Sequence, residues 1–549
     1  MKKDFTPEDE LLFLALGGSG EIGMNVNLYG CQGKWLMVDL GMSFGANEYP
    51  GTELMFADPE FIEERLDDLL GIVLTHGHED HIGAIPYFAA DFGVPLYATP
   101  FTADLIKRKL QEAGHTDQVE LNIIEEDHGT FDLGPFEISY HPLAHSIAEG
   151  NALLIDTPHG RIFHTGDWKL DDEPIIGEPT TDEELTQIGD EGVLALVCDS
   201  TNVFNPEASG SEGAVYRGLL EEVGKHKGKR ILVTTFASNV ARLQTLGEIA
   251  QESGRTLCVA GRSLDRIIEV SKANGYLTNF PKTVDFDSAM RMPRGKIMFL
   301  ATGGQGEPRA ALSRISEGNH QISLEAGDVV LFSSRQIPGN ELAIGRIQNR
   351  LADSNITMVT DRQAEIHVSG HPGKPELEEL YSWIRPEILM PVHGEIRHMK
   401  EQGRLGVANG IPHNVVQKNG DIIRLAPGKP GKLAEVRTGR LVLDGDIIVP
   451  SGGDAITMRK RLSRDGLLIV VLGKGGSVQV EGIGLPLDED YDAFIEEAIA
   501  DVKKSLSRLK GGAARARQII HEAARLAARR AAQRWSGKKP QTRVILPEE

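Results

Sequence analysis

The chain has 549 residues, 40% of them hydrophobic and 25% charged, with a formal net charge of −22. That length exceeds one ordinary core, so at least two packed units are expected, with the composition of a soluble globular protein. Its three cysteines, Cys31, Cys198 and Cys258, are far apart and each lies in an apolar stretch, which argues for buried thiols in a reducing compartment and against a disulfide frame or a thiolate zinc site.

The first apolar run, residues 11–16, is too short for a signal segment or a membrane span, so no membrane association is expected and a cytoplasmic location is. Residues 11–40 then alternate glycine-marked turns with short apolar stretches, the pattern of antiparallel hairpins. A strand at 71–74 runs directly into THGHEDH, followed by a short helix in IGAIPYFAADFG, a strand in PLYAT and a helix over 103–113. Three strand-like pieces follow in FEISYHPLAH, NALLIDTP and GRIFHTGDW, so two sheets with helices outside them are expected.

The pattern changes after about residue 205. From 213 to 354, strands such as KRILVTTFA, KIMFLATGG and DVVLFSS end in glycine- or serine-rich loops and lead into helices, which predicts a mostly parallel sheet whose ligands lie beyond the strands' carboxyl ends. After His393 a Gly-, Lys- and Pro-containing stretch reads as the edge of this body and a connector. A small C-terminal unit closes the chain, with strands in GRLVLDGDIIV and GLLIVVLGKGGSVQVEGI, helices near 491–509 and 512–535, and a last strand in TRVILP. Residues 501–549 hold 13 Lys or Arg against 4 Asp or Glu, so that segment carries +9 and the preceding 500 residues −31. A basic segment of this kind can attract phosphate or simply be a solvated helix face. Ile519, Ile520, Ala523, Leu526, Ala527 and Ala531 recur at near-helical spacing along it and are expected to form its packed face.

His76, His78, Asp80 and His81 place four nitrogen or oxygen donors within six residues of a strand-to-helix loop, where they can converge on zinc or manganese. Three further donors, His145, Asp167 and His393, each end a strand-like piece, and rigid strand ends suit a metal site. A glycine beside Asp167 and another beside His393 permit close backbone approach.

At these residues the chain resembles the metallo-β-lactamase pattern. LGGSGEIGMN, LVCDSTN, TTFASNVARL, ATGGQGEP, PGNE, HVSGHP and MPVHGE, in that order, resemble its nucleic-acid-processing β-CASP branch, and in particular the bacterial ribonuclease J family over essentially the whole chain. The resemblance implies an αββα sandwich over 1–210 and 356–430, an inserted β-CASP α/β domain over 211–355, a connector over 431–452 and a small α+β dimerisation domain over 453–549. It implies two divalent ions, zinc first with manganese or magnesium as alternatives. One would sit on His76, His78 and His145, the other on Asp80, His81 and His393, with Asp167 bridging and Asp39 orienting the site. Besides Asp80, the catalytic assignments fall on His371, for phosphate contact or protonation of the leaving group, and on Asp199, expected to hold a metal-ligating histidine through its other ring nitrogen. Ser333, Ser334, Ser369 and Gly370, with His371, resemble a phosphate pocket.

The activity so implied is a ribonuclease acting 5′ to 3′ on single-stranded RNA bearing a 5′ monophosphate, with internal cleavage besides. A homodimer or tetramer and partners in an RNA-degradation complex are implied with it. The alternatives are a DNA-processing nuclease of the same branch, a small-molecule metallo-hydrolase, and an RNA-binding scaffold. Gly304 stands where the family commonly has serine, and Arg335 where it has proline or a small residue. Either a phosphate contact or a surface ion pair would suit Arg335.

Overall fold

A computed structural model describes residues 9–45, 49–125, 129–336, 340–510 and 516–546. Pro338 and Gly339 of the PGNE string, and residues 512–515 of the expected last helix, lie outside these. The described chain divides into two units, residues 1–43 with 56–438, and residues 44–55 with 439–549.

In the first unit two sheets face each other. One runs in the order 431–435, 421–426, 11–17, 26–31, 34–38, 69–73, 96–98, 121–123, and the other in the order 131–133, 136–142, 151–157, 160–164, 195–199, 388–392, 413–414. Their inner faces share one core, to which Phe13, Tyr29, Leu36 and Val73 come from the first sheet and Phe136, Ile155, Ile162, Val197 and Met390 from the second. The outer face of the second sheet buries Phe163, Leu196 and Leu389 with Leu185, Leu377, Leu380 and Leu405 of the helices Asp182–Asp190, Lys374–Ile384 and Ile396–Ala408. Helices Ile85–Phe92 and Pro100–Ala113 bury Phe88, Phe101 and Ile106, giving the expected αββα sandwich.

The insert has a wholly parallel sheet in the order 256–260, 297–301, 231–234, 329–332, 357–359. Its strands are continuous apolar runs such as ILVT and IMFLA because helices cover both faces of a parallel sheet. The last strand, Thr357–Val359, lies beyond residue 355, so the insert extends past its expected end.

In the 431–452 stretch, set apart as a connector, residues 431–435 form a strand of the first unit, and the strands expected in GRLVLDGDIIV form at 440–444 and 447–450. Gly431–Glu435 pairs antiparallel with Asp421–Ala426, and Arg440–Asp444 forms a hairpin with Ile447–Pro450 through a turn in which Gly445 takes φ +64°. Glycine and proline mark the turns there, and the residues between them supply ladder bonds.

In the second unit Leu467–Leu472 pairs antiparallel with Val478–Ile483 and parallel with Gln541–Ile545. Leu468 and Val470 point into its core while Leu467, Ile469 and Val471 stay half-buried, the period-two alternation of a sheet covered on one face. The final helix, Arg517–Ser536, packs on a face rotated from the expected one, which keeps Ala527, Ala531 and the partly buried Ile520. Its buried residues are Ala524, Ala527, Ala528, Ala531 and Ala532, set against Phe494, Ala498 and Val502 of Tyr491–Ser507, whereas Ile519 and Leu526 are exposed. Small side chains let two helix backbones approach closely, and that outweighs the larger apolar area of isoleucine and leucine.

Candidate metal centre

The strand Leu69–Val73 ends at a loop that turns at once into the short helix Glu79–Ile82, so His76, His78, Asp80 and His81 fan around one point instead of alternating across a sheet. The N-terminal strands fix this loop from below. Asn25 N–H donates to Asp80 O at 2.9 Å, and Leu40 N–H to His81 O at 2.7 Å. Strand ends of the second sheet bring the other donors. His145 lies just beyond Phe136–Pro142, Asp167 follows Gly160–His164, and His393 follows Ile388–Val392 with φ +50°. All seven donors come together in two overlapping groups, His76, His78, His145 and Asp167 in one and Asp80, His81, Asp167 and His393 in the other, within each of which the ligand atoms lie no more than 4.8 Å apart. A third group of the same kind joins Asp167, Asp199, His371 and His393.

The outer nitrogens of these histidines reveal which atoms face inward. Thr75 Oγ1 donates to Asp39, so it accepts from His76 Nδ1 at 3.0 Å. His145 Nδ1 donates to the carbonyl of Gly370 at 2.5 Å, and His78 Nε2 meets Ser238 Oγ at 3.0 Å. The remaining nitrogens crowd together, with His76 Nε2 at 3.1 Å and His145 Nε2 at 3.0 Å from His78 Nδ1. Burial holds all three imidazoles neutral, lowering His76 and His145 well below their ordinary pKa and His78 to about 4. Converging lone pairs of neutral imidazoles repel unless a cation lies between them, so this donor set fits a divalent metal.

On the other side, Asp39 is wholly buried, and His81 Nδ1 donates to its Oδ2 at 2.7 Å while Thr75 N–H donates to its Oδ1 at 2.9 Å. Thr201 Oγ1 donates to His393 O at 2.8 Å and accepts from His393 Nδ1 at 2.6 Å, leaving His393 Nε2 facing Asp80 Oδ2 at 3.0 Å. Burial opposes charge on His81 and His393, but Asp167 leads the carboxylates that raise both well above the ordinary histidine value. A metal ion would displace those protons. Burial also opposes ionisation of Asp167, yet His393, His81 and His371 hold its carboxyl well below the usual range, and its Oδ1 is buried with no hydrogen-bond partner. A carboxylate with one oxygen unpaired and the other 3.3 Å from His81 Nε2 is suited to join both donor groups.

Asp199 lies beside two histidines, His371 and His393, and is closer to the first. Its Oδ2 accepts from His371 Nδ1 at 2.7 Å and its Oδ1 from Thr201 N–H at 2.8 Å, while the metal-facing His393 is held by Thr201 and stands 3.7 Å from Asp199. A threonine two residues on reaches the imidazole more directly than the carboxylate does. Desolvation works against charge on His371, but Asp199 and then Asp167 raise its pKa above the ordinary value.

Ser333 is likewise not free for a phosphate. It is wholly buried, its hydroxyl donates to Ile366 O at 2.6 Å and accepts from Arg242, and Arg242 itself forms a buried pair with Glu212 at 3.0 Å. Ser334 keeps a buried hydroxyl without a partner, as do Thr234 and Thr235 on the neighbouring strand end. A Cβ on Gly304 would collide with that Ser334 hydroxyl, a packing reason for glycine there. Ser369 Oγ accepts from His371 N–H at 3.1 Å. Arg335 is exposed. The glycines beside the ligands make room for protein and not for an ion: a Cβ on Gly166 would stand 3.0 Å from Asn151 O, and one on Gly394 would run into Ser200 Oγ.

Thr75, Thr201 and Ser238 escape a reading of the sequence. They are ordinary loop hydroxyls, and only their position one residue from His76, within CDSTN and within TTFASN hints at them.

Four family models match successive parts of the chain: the Metallo-beta-lactamase superfamily over residues 23–191, the Ribonuclease J beta-CASP domain over 228–351, the Zn-dependent metallo-hydrolase RNA specificity domain over 359–416, and the Ribonuclease J C-terminal domain over 454–548. The chain is 38% identical to Ribonuclease J of Sinorhizobium meliloti over 99% of its own length and 98% of that protein. It is 39% identical to Ribonuclease J of Corynebacterium glutamicum over 84% of its length and 65% of that protein, and 31% identical to Ribonuclease J of Thermus thermophilus over 92% and 89%. A crystal structure of a protein of unknown function from Enterococcus faecalis V583 shares the fold at 17% identity, with a TM-score of 0.54 over 76% of this chain and all of that one. The donor clusters and the matched domains are those of a metal-dependent hydrolase.

Proposed function

Because this chain belongs to the ribonuclease J family, in the β-CASP branch of the metallo-β-lactamase superfamily, we propose that it is a two-metal phosphodiesterase that removes nucleotides from the 5′ end of single-stranded RNA, favouring a 5′ monophosphate and also cleaving internally. The observation that carries this reading is the His371–Asp199 pair set beside both donor groups, an acid placed where a phosphodiester held by the metals would need one.

His76, His78 and His145 would hold one ion, Asp80, His81 and His393 the other, and Asp167 both. Zinc suits the nitrogen-rich set best, with manganese or magnesium as alternatives. Bound there, divalent ions supply a water of lowered pKa and positive charge for the non-bridging phosphate oxygens. The chain's own residues do the rest. Asp39 and Thr201 orient His81 and His393, and Asn25 and Leu40 hold the loop that carries Asp80. Asp199 accepts from His371 Nδ1, so the Nε2 edge of a side chain still 25% exposed is left to give its proton to the departing 3′ oxygen. The phosphate pocket narrows to Ser334, Ser369, Gly370 and His371. Ser334 supports it with an unpartnered hydroxyl at the carboxyl end of a parallel strand, a usual ligand position.

The proposal extends to a homodimer or tetramer formed through the C-terminal unit, where Ile483 and Ile545 are exposed, to a cytoplasmic location and to partners in RNA degradation. Among the described residues no helix is long and apolar enough to cross a membrane.

The test is incubation of the metal-loaded protein with oligoribonucleotides labelled at the 5′ or the 3′ end. Release of 5′-labelled mononucleotide is expected, and 3′-labelled RNA should shorten faster with a 5′-monophosphate than with a 5′-hydroxyl. Release from the 3′ end alone, or no cleavage with zinc, manganese or magnesium, refutes the proposal.

A further inference from the structure

Of the three histidines in the first donor group, only His76 has its outer nitrogen held wholly within the sandwich, by Thr75. His78 Nε2 is met by Ser238, in the loop after insert strand Ile231–Thr234. His145 Nδ1 donates to Gly370 O, on the segment by which the chain returns from the insert. That segment is itself tied to the insert, because Arg242 and Ser333 both donate to Ile366 O, at 3.1 and 2.6 Å.

An outer hydrogen bond selects which imidazole nitrogen keeps a lone pair, and it fixes the ring's direction. For His78 the choice is sharp. A bond at Nε2 turns Nδ1 toward His76 and His145; without it the ring can rotate or change tautomer and withdraw that donor. The docking of insert on sandwich is polar and includes Arg108–Glu269 at 3.0 Å, Arg266–Glu112 at 2.5 Å, Asn274 Nδ2 to Asp104 Oδ2 at 3.3 Å, and Tyr276 to Glu149 at 3.2 Å. Such contacts hold a closed position more readily than they weld it.

We infer that the ion on His76, His78 and His145 is held tightly only while the insert is docked, with Ser238 as the residue that couples the two by positioning His78. The inference rests on the two-metal reading. It makes the insert part of the metal centre as well as a wall of the substrate cleft, and it distinguishes the two ions, since the outer partners of His81 and His393 are Asp39 and Thr201 of the sandwich.

Zinc binding to the full-length protein tests this, by equilibrium dialysis against a graded zinc buffer with metal counted by mass spectrometry. Wild type is expected to hold two tight zinc ions. Ser238→Ala should hold one as wild type does and the other about 10–100-fold more weakly, and Ser238→Thr, which keeps the hydroxyl, should restore it. Gly370→Ala, whose Cβ would stand 3.0 Å from His145 Cε1, should weaken the same ion by the neighbouring route. Two wild-type affinities in Ser238→Ala overturn the inference and leave the two-metal reading intact, and a rise in KM for RNA with unchanged zinc binding would instead make Ser238 a substrate contact. A single zinc on wild type overturns both.

Discussion

Asp199→Asn is the sharpest perturbation of the proposed acid. The carboxylate is wholly buried, and its oxygens are divided between His371 Nδ1–H at 2.7 Å and the Thr201 N–H at 2.8 Å. Asparagine has the same shape but offers one acceptor and one donor. If its oxygen faces His371, its NH2 meets the Thr201 N–H; the reverse orientation sets NH2 against the His371 N–H, so one bond is lost either way. A hydrogen bond to a charged group contributes about 1.5–3 kcal/mol. At about 1.4 kcal/mol per tenfold, that predicts a fall in kcat of roughly 10- to 150-fold. Single-turnover cleavage at saturating RNA reads this directly, with metal content measured on the same sample. A kcat within about twofold of wild type would refute the role given to Asp199, and so would a loss of rate that added zinc repairs.

Three further outcomes are expected. His371→Ala should abolish most turnover while both metals stay bound, because the ring's nearest charged partner is Asp199 and neither proposed ion depends on it; metal loss on dialysis would move His371 into the ligand set. Arg242→Met leaves Glu212 buried without its cation and should cost about 3–5 kcal/mol in denaturant unfolding, and a loss under about 1 kcal/mol would show that the pair contributes little. Ala528→Leu forces a larger side chain into the filled core of the second unit and should destabilise that unit by about 1–3 kcal/mol in thermal unfolding. An unchanged transition would mean that this core can yield to admit it.

The metal donors were legible because a metal leaves a chemical signature: four ligand-type residues in six positions are rare, and strand ends supply the rest. The parallel insert was legible through its alternation of apolar runs, loops and helices. What stayed hidden depends on partners distant in sequence. Ser333 reads as a loop serine until Arg242 and Ile366, 91 and 33 positions away, close around it. Thr201 and Ser238 are indistinguishable from other loop hydroxyls until His393 and His78 lie beside them. Helix Asp454–Asp465 was missed because Ile456 is its one buried residue, too little for a periodic signal. In the last helix, ranking residues by apolar size favoured Ile519 and Leu526 over the alanines that pack.

The strand that delivers His393, Ile388–Val392, pairs in parallel with Ala195–Asp199 in the sheet interior, and nearly 200 residues separate the two. Synthesis from the N-terminus therefore produces His76, His78, Asp80, His81, His145 and Asp167 long before the strand that completes their neighbourhood. A chain still on the ribosome at residue 370 carries six of the seven donors but an open sheet, with no imidazole opposite Asp80 and no His371 on Asp199. The donor cluster of the first unit is thus closed by one of the last strands of its sheet to be made, and six of its seven donors wait for the seventh.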